Sequence, residues 1–419
     1  ESARALGASA AAHLETAGRR ALDHGDTTAA VNLLERAGLL LPTQQVEPAL
    51  EEGLIRGLGM SGRLSEAIAR ADRAAALCAS VGNDVGEMRA RLAGAVWREN
   101  VDPAANEQLL IEMVERARPL IESSGDEGAL ASLEFAAGYI EHYNCRFGDS
   151  FVLITRCMEY ATLAHDLSLA SSARAVAGAA VSLGPMPADE AQRWLDTEQT
   201  AEGGGFTPLL DVWRAWLLGV RGYFDEARSL FTATLDHMNE RGLRTGAAIA
   251  MQAGWQIETL AGDLEAAEHM ARLGCDQLEQ LGERAWLSTQ ECQLGEALYA
   301  LGRYEEAEQR VLRGLDFGGA GDVSTQLLAL QVRAKVSARR GDHPTALSLA
   351  QEAIRLAATT QAPLLAGDAV LVLAEVLHLA GSVALADEEV ERAIEHYRGK
   401  GAVASVGEAR RLAATWGNA

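Results

Sequence analysis

Along most of this chain apolar side chains return every three or four positions, as in Leu294, Leu298 and Leu301, then after a short break Ala307, Val311 and Leu315. That spacing is the period of an α-helix with one buried face. Between the two runs stands Gly302-Arg-Tyr304-Glu-Glu-Ala307. The pattern Gly-x-apolar-x-x-Ala recurs at Gly62-Arg-Leu64-Ser-Glu-Ala67, Gly222-Tyr-Phe224-Asp-Glu-Ala227 and Gly262-Asp-Leu264-Glu-Ala-Ala267. Each position has a mechanical reason. The glycine closes a first helix in a left-handed cap, the apolar residue plugs the corner, and the small alanine lets a second helix approach the first.

Weaker copies stand at Gly25 to Ala30, Gly341 to Ala346 and Gly381 to Ala386, and at Gly148 the alanine gives way to Leu153. The junctions Val101-Asp102-Pro103 and Gly184-Pro185-Met186-Pro187 have lost the pattern but fall where the period requires one. A period of about 40 residues holds two helices of about 16 residues each plus turns and predicts about ten helix pairs. The expected fold class is all-α, an α-α superhelix whose neighbouring pairs bury faces that no single pair could bury. Residues 1–419 read as a single solenoid. The stretch 184–208, with three prolines and Gly203-Gly204-Gly205, reads as a loop or bend between an N-terminal arm, 1–183, and a C-terminal arm, 209–419.

Composition narrows the function. A 48% hydrophobic chain of 419 residues has ample core, and 37 basic against 59 acidic side chains leave a net charge of −22. Such a surface repels phosphate backbones and anionic membranes, so neither direct nucleic-acid binding nor membrane association is expected. Arginine is used almost to the exclusion of lysine, with only Lys335 and Lys400, a bias that fits a GC-rich bacterial genome. Five cysteines without a CxxC make no disulfide framework and fit a reducing, cytoplasmic setting. Cys145 and Cys157 read as buried thiols. No apolar run is long enough to span a membrane, and the opening Glu1-Ser-Ala-Arg reads as the start of a piece cut from a longer protein.

Catalytic signatures are missing. There is no HExxH, GxSxG or CxxC, and Arg398-Gly-Lys-Gly-Ala402 resembles a phosphate-binding loop but lacks the hydroxyl residue, so it reads as a turn. The carboxylate pairs Glu305-Glu306 and Glu388-Glu389 read as solvated helix faces. No enzyme activity, cofactor or metal is expected.

One region stands out. Phe135, Tyr139, His142, Tyr143, Phe147, Phe151 and Tyr160 crowd seven rings into 26 residues of a chain that is 5% aromatic. They read either as filling for a core whose junction lost its alanine or as part of a concave groove. With the junction register taken from Gly148, Phe135 and His142 face the groove and Phe151 the packed corner. The same register turns Arg98, Arg174, Trp216, Gln256, Tyr299 and Lys335 inward, making a surface for an extended peptide or a polar small molecule.

The motif Gly302, Tyr304 and Ala307, with the earlier Leu294-Gly295, resembles the tetratricopeptide repeat, although the period is longer and the closing proline is mostly missing. The segments His13 to Asp26, Ala30 to Ala37 and Leu40-Leu-Pro42 are similar to the repeat region of large bacterial signalling ATPases. So are Leu281 to Arg284, Leu298 to Ala307 and Arg333 to Asp342. In those proteins a nucleotide-cyclase or LuxR-type output domain and an AAA or STAND-type ATPase accompany the array. The resemblance implies a sensor or scaffold module that binds a protein, peptide or small-molecule effector and restrains an adjoining ATPase or output domain. A free-standing adaptor for protein assembly is the alternative, and pairing of two copies is open to either.

Overall fold

The computed structural model describes residues 2–41, 48–200 and 207–416, with backbone alone for 2–5, 48 and 49. Every regular element among them is an α-helix. The first five pairs are α1 (Ser2–Asp23) with α2 (Thr27–Leu40), α3 (Pro48–Met60) with α4 (Leu64–Ser80), and α5 (Asp84–Val101) with α6 (Pro103–Ser124). They continue with α7 (Glu127–Tyr143) and α8 (Phe147–Leu163), then α9 (Leu167–Leu183) and α10 (Ala188–Thr200). The next are α11 (Pro208–Val220) with α12 (Phe224–Glu240), α13 (Arg244–Ala261) with α14 (Leu264–Leu281), and α15 (Ala285–Ala300) with α16 (Tyr304–Phe317). The last are α17 (Val323–Arg339) with α18 (His343–Ala357) and α19 (Pro363–Leu379) with α20 (Val383–Lys400), followed by α21 (Val403–Trp416). Helix α10 thus occupies much of the proline-bearing stretch, whereas Gly203-Gly204-Gly205 lies outside the described residues.

The corner motif works as its chemistry suggests. Gly302 takes φ +76°, a backbone that a side chain would strain, and lets the chain leave α15 for α16. The motif alanines Ala30, Ala67, Ala227, Ala267, Ala307, Ala346 and Ala386 are wholly buried where the two helices of a pair touch. The fourth corner departs from the expected register. Cys145, with φ +53°, occupies the left-handed position, Phe147 is the corner plug, and the buried Ser150 stands where the alanine should be. Its hydroxyl donates to the Gly138 carbonyl at 2.8 Å. Gly148 therefore lies inside α8, three residues beyond the true corner.

The two helices of a pair differ in burial. Thirteen of the sixteen residues of α15 are buried, against three of the fourteen in α16, because the first helix is packed on both sides while the second has a solvated back. The first helices form the inner wall of a superhelix. Helix α3 meets α13 and α5 meets α15, in each case five pairs further on, so pairs six to ten form a second turn stacked on the first.

Corner loops make the seam between the turns. The Thr27 hydroxyl donates to the carbonyls of Arg241 and Gly242, and that of Thr245 to the Gly59 carbonyl at 2.8 Å. At the three corners that lost the motif, a first-turn carbonyl meets a second-turn donor. The Arg284 amide donates to Asn100 at 2.7 Å, and the Gln361 amide to Cys145 at 2.9 Å. The buried Lys400 ammonium donates to Val181, Gly184 and Met186 at 3.0, 2.8 and 2.6 Å. The phosphate-loop lookalike is thus a staple between turns.

Candidate functional site

The first turn does not close onto itself along its axis. A cavity of about 240 Å³ remains, bounded by inner helices from α1 to α15 and so by both turns. Its wall is mostly apolar. Ile55 and Met60 come from α3, Leu92, Val96 and Trp97 from α5, Phe135 and Tyr139 from α7, Val176 from α9, Trp213 from α11, and Ile249 from α13. Trp286, at the start of α15, closes the end beside Asn100, Tyr139 and His142.

Two charged residues reach the wall, each already paired. Glu52, on α3, accepts from the Arg89 guanidinium at 2.8 and 2.6 Å. Arg56, one helical turn further along, donates to Asp166 at 3.0 and 3.4 Å. Desolvation alone would raise the Asp166 carboxyl, but Arg56 and the Leu169 amide outweigh it and hold the group below its ordinary range. This pair ties the second repeat to the N-terminus of α9 in the fifth.

The end formed by α7 and α15 differs. His142 is buried, with its ring 5.1 Å from Phe147 and 6.0 Å from Trp286, and burial pushes its imidazole down to about 4, so it is neutral at physiological pH. Its Nδ1 and the Trp286 Nε1 have no hydrogen-bond partner among the described residues. The indole nitrogen lies close enough to the Tyr139 hydroxyl to favour its ionised form, but short of hydrogen-bonding geometry. Tyr139 itself bonds weakly to Asn100 at 3.4 Å and to the Tyr143 hydroxyl at 3.3 Å.

Of the residues that the sequence turned inward, Phe135 and His142 line this cavity. Arg98 pairs with Asp72, Arg174 is buried against Glu198 at 3.0 Å, Trp216 is buried in the core beside Trp213, and Gln256 is half-buried on α13. Tyr299 and Lys335 face each other across the inner helices of the second turn. The Lys335 ammonium lies 4.6 Å from the centre of the Tyr299 ring and bonds to Glu296, while the Tyr299 hydroxyl donates to Glu375 at 2.5 Å. Arg339 joins Glu375 at 3.0 Å. Nearby, burial and then neighbouring carboxylates push Glu408 up to about 7, while Asp368, hydrogen-bonded by Tyr397, is raised by burial to about 6.

The sequence reading omitted Trp97, Tyr139, Trp213 and Trp286 from the site. Tyr139 was accessible to it: six residues before the true corner at Cys145, it holds the register of Trp216, Gln256 and Lys335 relative to their glycines. Trp286 was not, because it reaches the first turn only through the stacking of the second.

No cluster of three or more histidine, cysteine or acidic side chains among the described residues could hold a metal ion, and no described helix is long and apolar enough to cross a membrane. All five cysteines are buried and unpaired, Cys145 and Cys157 included. No family model matches the chain, and no curated protein matches it in sequence. Solved structures do. The human IFIT1 dimer with m7Gppp-AAAA is 13% identical over 88% of this chain and 86% of that one, with a TM-score of 0.50. The APC/C hetero-tetramer Cut9-Hcn1 is 12% identical over 92% and 86%, with a TM-score of 0.49. A Rap protein complexed with competence and sporulation factor is 12% identical over 88% and 97%, at 0.45. At such identities the likeness is one of fold, and with the ten helix pairs and their corner motif it makes this chain a tetratricopeptide-like α-solenoid.

Proposed function

We propose that this chain is a non-enzymatic ligand-sensing module of a multidomain bacterial signalling or transcription regulator, and that its effector is a small molecule held in the axial cavity. The observation that carries the reading is that the cavity wall is shared by the two superhelical turns. A molecule touching Phe135 and Val176 on one side and Ile249 and Trp286 on the other draws the turns together. Because each pair contacts its neighbours, a small rotation at the cavity accumulates along the array and reaches an adjoining ATPase or output domain. An extended peptide suits the site less well, because the stacked turns fill the space that an open groove would offer.

The test is native mass spectrometry of the chain purified from bacterial lysate, with melting temperatures in the presence of fractionated metabolites. A retained small molecule, or a metabolite at a hundred times its Kd adding about 2.7 kcal/mol of stability, supports the reading. A chain that emerges empty and responds to no fraction sinks it and leaves protein docking, as in a free-standing adaptor, to be tested by pull-down.

A further inference from the structure

The chemistry of the wall limits what the cavity can hold. This step rests on the cavity being a ligand site and goes on to the class of ligand. Aromatic rings come from four separate helices, Trp97 from α5, Phe135 and Tyr139 from α7, Trp213 from α11 and Trp286 from α15. Three of the seven tryptophans of the chain are therefore spent on one cavity, in positions where ring faces and edges favour another flat π-system. A volume near 240 Å³ is room for a two- or three-ring compound.

Charge is limited just as firmly. Glu52 and Arg56 are the charged side chains on the wall, and Arg89 and Asp166 satisfy them. An ionic ligand would enter an apolar space without a free counter-charge, which is expensive. The Trp286 indole N–H is a buried donor without an acceptor, and the neutral His142 ring beside it also has a buried nitrogen without a partner. Both nitrogens are sealed from the cavity by the atoms around them, so they offer a ligand no hydrogen bond, and what it meets is the largely apolar wall.

We infer that the axial cavity binds a neutral, flat, predominantly aromatic molecule held by the ring faces and aliphatic side chains of its wall. The probes are N-phenyl-1-naphthylamine, a neutral aromatic amine of suitable size, and its sulfonated anionic relative 8-anilino-1-naphthalenesulfonate. Each is titrated into the full chain while tryptophan and dye emission are followed. The neutral dye saturates at one equivalent and quenches tryptophan emission, and the sulfonate binds about tenfold more weakly or worse. Val176→Phe, which places a ring in the cavity, abolishes binding of the neutral dye, and Ala93→Leu serves the same end should the first variant misfold. Equal affinity for the two dyes, binding that survives both filling variants, or no saturable binding of the neutral dye overturns the inference. The broader reading fails separately, on the metabolite experiment, since a charged metabolite retained in the cavity would refute this ligand class and leave the sensing function standing.

Discussion

Facing the axis, the first superhelical turn presents Trp97, Phe135, Tyr139 and Val176, whereas the second presents Glu296, Lys335, Asp368 and Glu375. Both turns are made of the same helix pair, closed by the same kind of corner. The difference lies in what fills the middle. The second turn is occupied by its own ion pairs and by a lysine stacked on a tyrosine. The first turn leaves an apolar space that its own side chains do not fill. A repeat fold can thus fill one turn and leave the next open, and the difference follows from the side chains at a handful of inward positions.

The largest expected effect comes from breaking the seam that holds the two turns together. Lys400→Met strips three carbonyls of their donor and should cost about 3 kcal/mol, read as a fall in melting temperature. A loss below about 1 kcal/mol would show that water replaces the ammonium there and that the seam does not depend on it.

Next comes the interior of the second turn. Lys335→Met leaves Glu296 without its ion-pair partner and Asp368 and Glu408 with one nearby cation fewer, and should cost about 2 kcal/mol at pH 7. The penalty should shrink towards pH 5. Asp368 has a folded pKa of about 6, raised first by burial, so the stability it contributes is present below its unfolded pKa and is lost as pH rises through about 6. Removing the cation deepens that loss. A penalty independent of pH would mean that Lys335 acts by packing alone.

At the seam, burial pushes Glu283 up to about 8 although the Trp286 and Leu287 amides donate to it. Its contribution is present below its unfolded pKa and disappears as pH rises through about 8. Glu283→Gln, with no proton to lose, should lie within about 1 kcal/mol of the parent at pH 5 and gain on it steadily as the pH rises to 8. Comparing the two proteins at both pH values cancels His142, whose depressed pKa of about 4 acts with the opposite sign at lower pH. The smallest effect belongs to the cavity. Val176→Phe fills space that already exists and should change stability by less than about 1 kcal/mol while removing ligand binding. A large destabilisation would mean that the cavity is too narrow for the ring and sharpen the size limit on any ligand.

Much of this architecture could be read from local pattern. Gly302, Tyr304 and Ala307 dictate a corner wherever they occur, because the left-handed cap, the plug and the close approach are decided within six residues. The same reading placed turns at Asp102 and Gly184, where the motif had vanished but the period had not. It slipped by three residues at Cys145, where a glycine-free corner and a nearby Gly148 gave the wrong register, and with the register went Tyr139.

The sequence by itself determined the helix pair, its period and its stacking, since those depend on contacts between neighbours in the chain. Only the tertiary structure decided that pairs five apart meet, that Lys400 staples α20 to the loop after α9, and that Trp286 closes a cavity begun by α3, α5 and α7. Those contacts depend on the pitch of the superhelix, the sum of many small rotations between pairs, and no single residue encodes that sum.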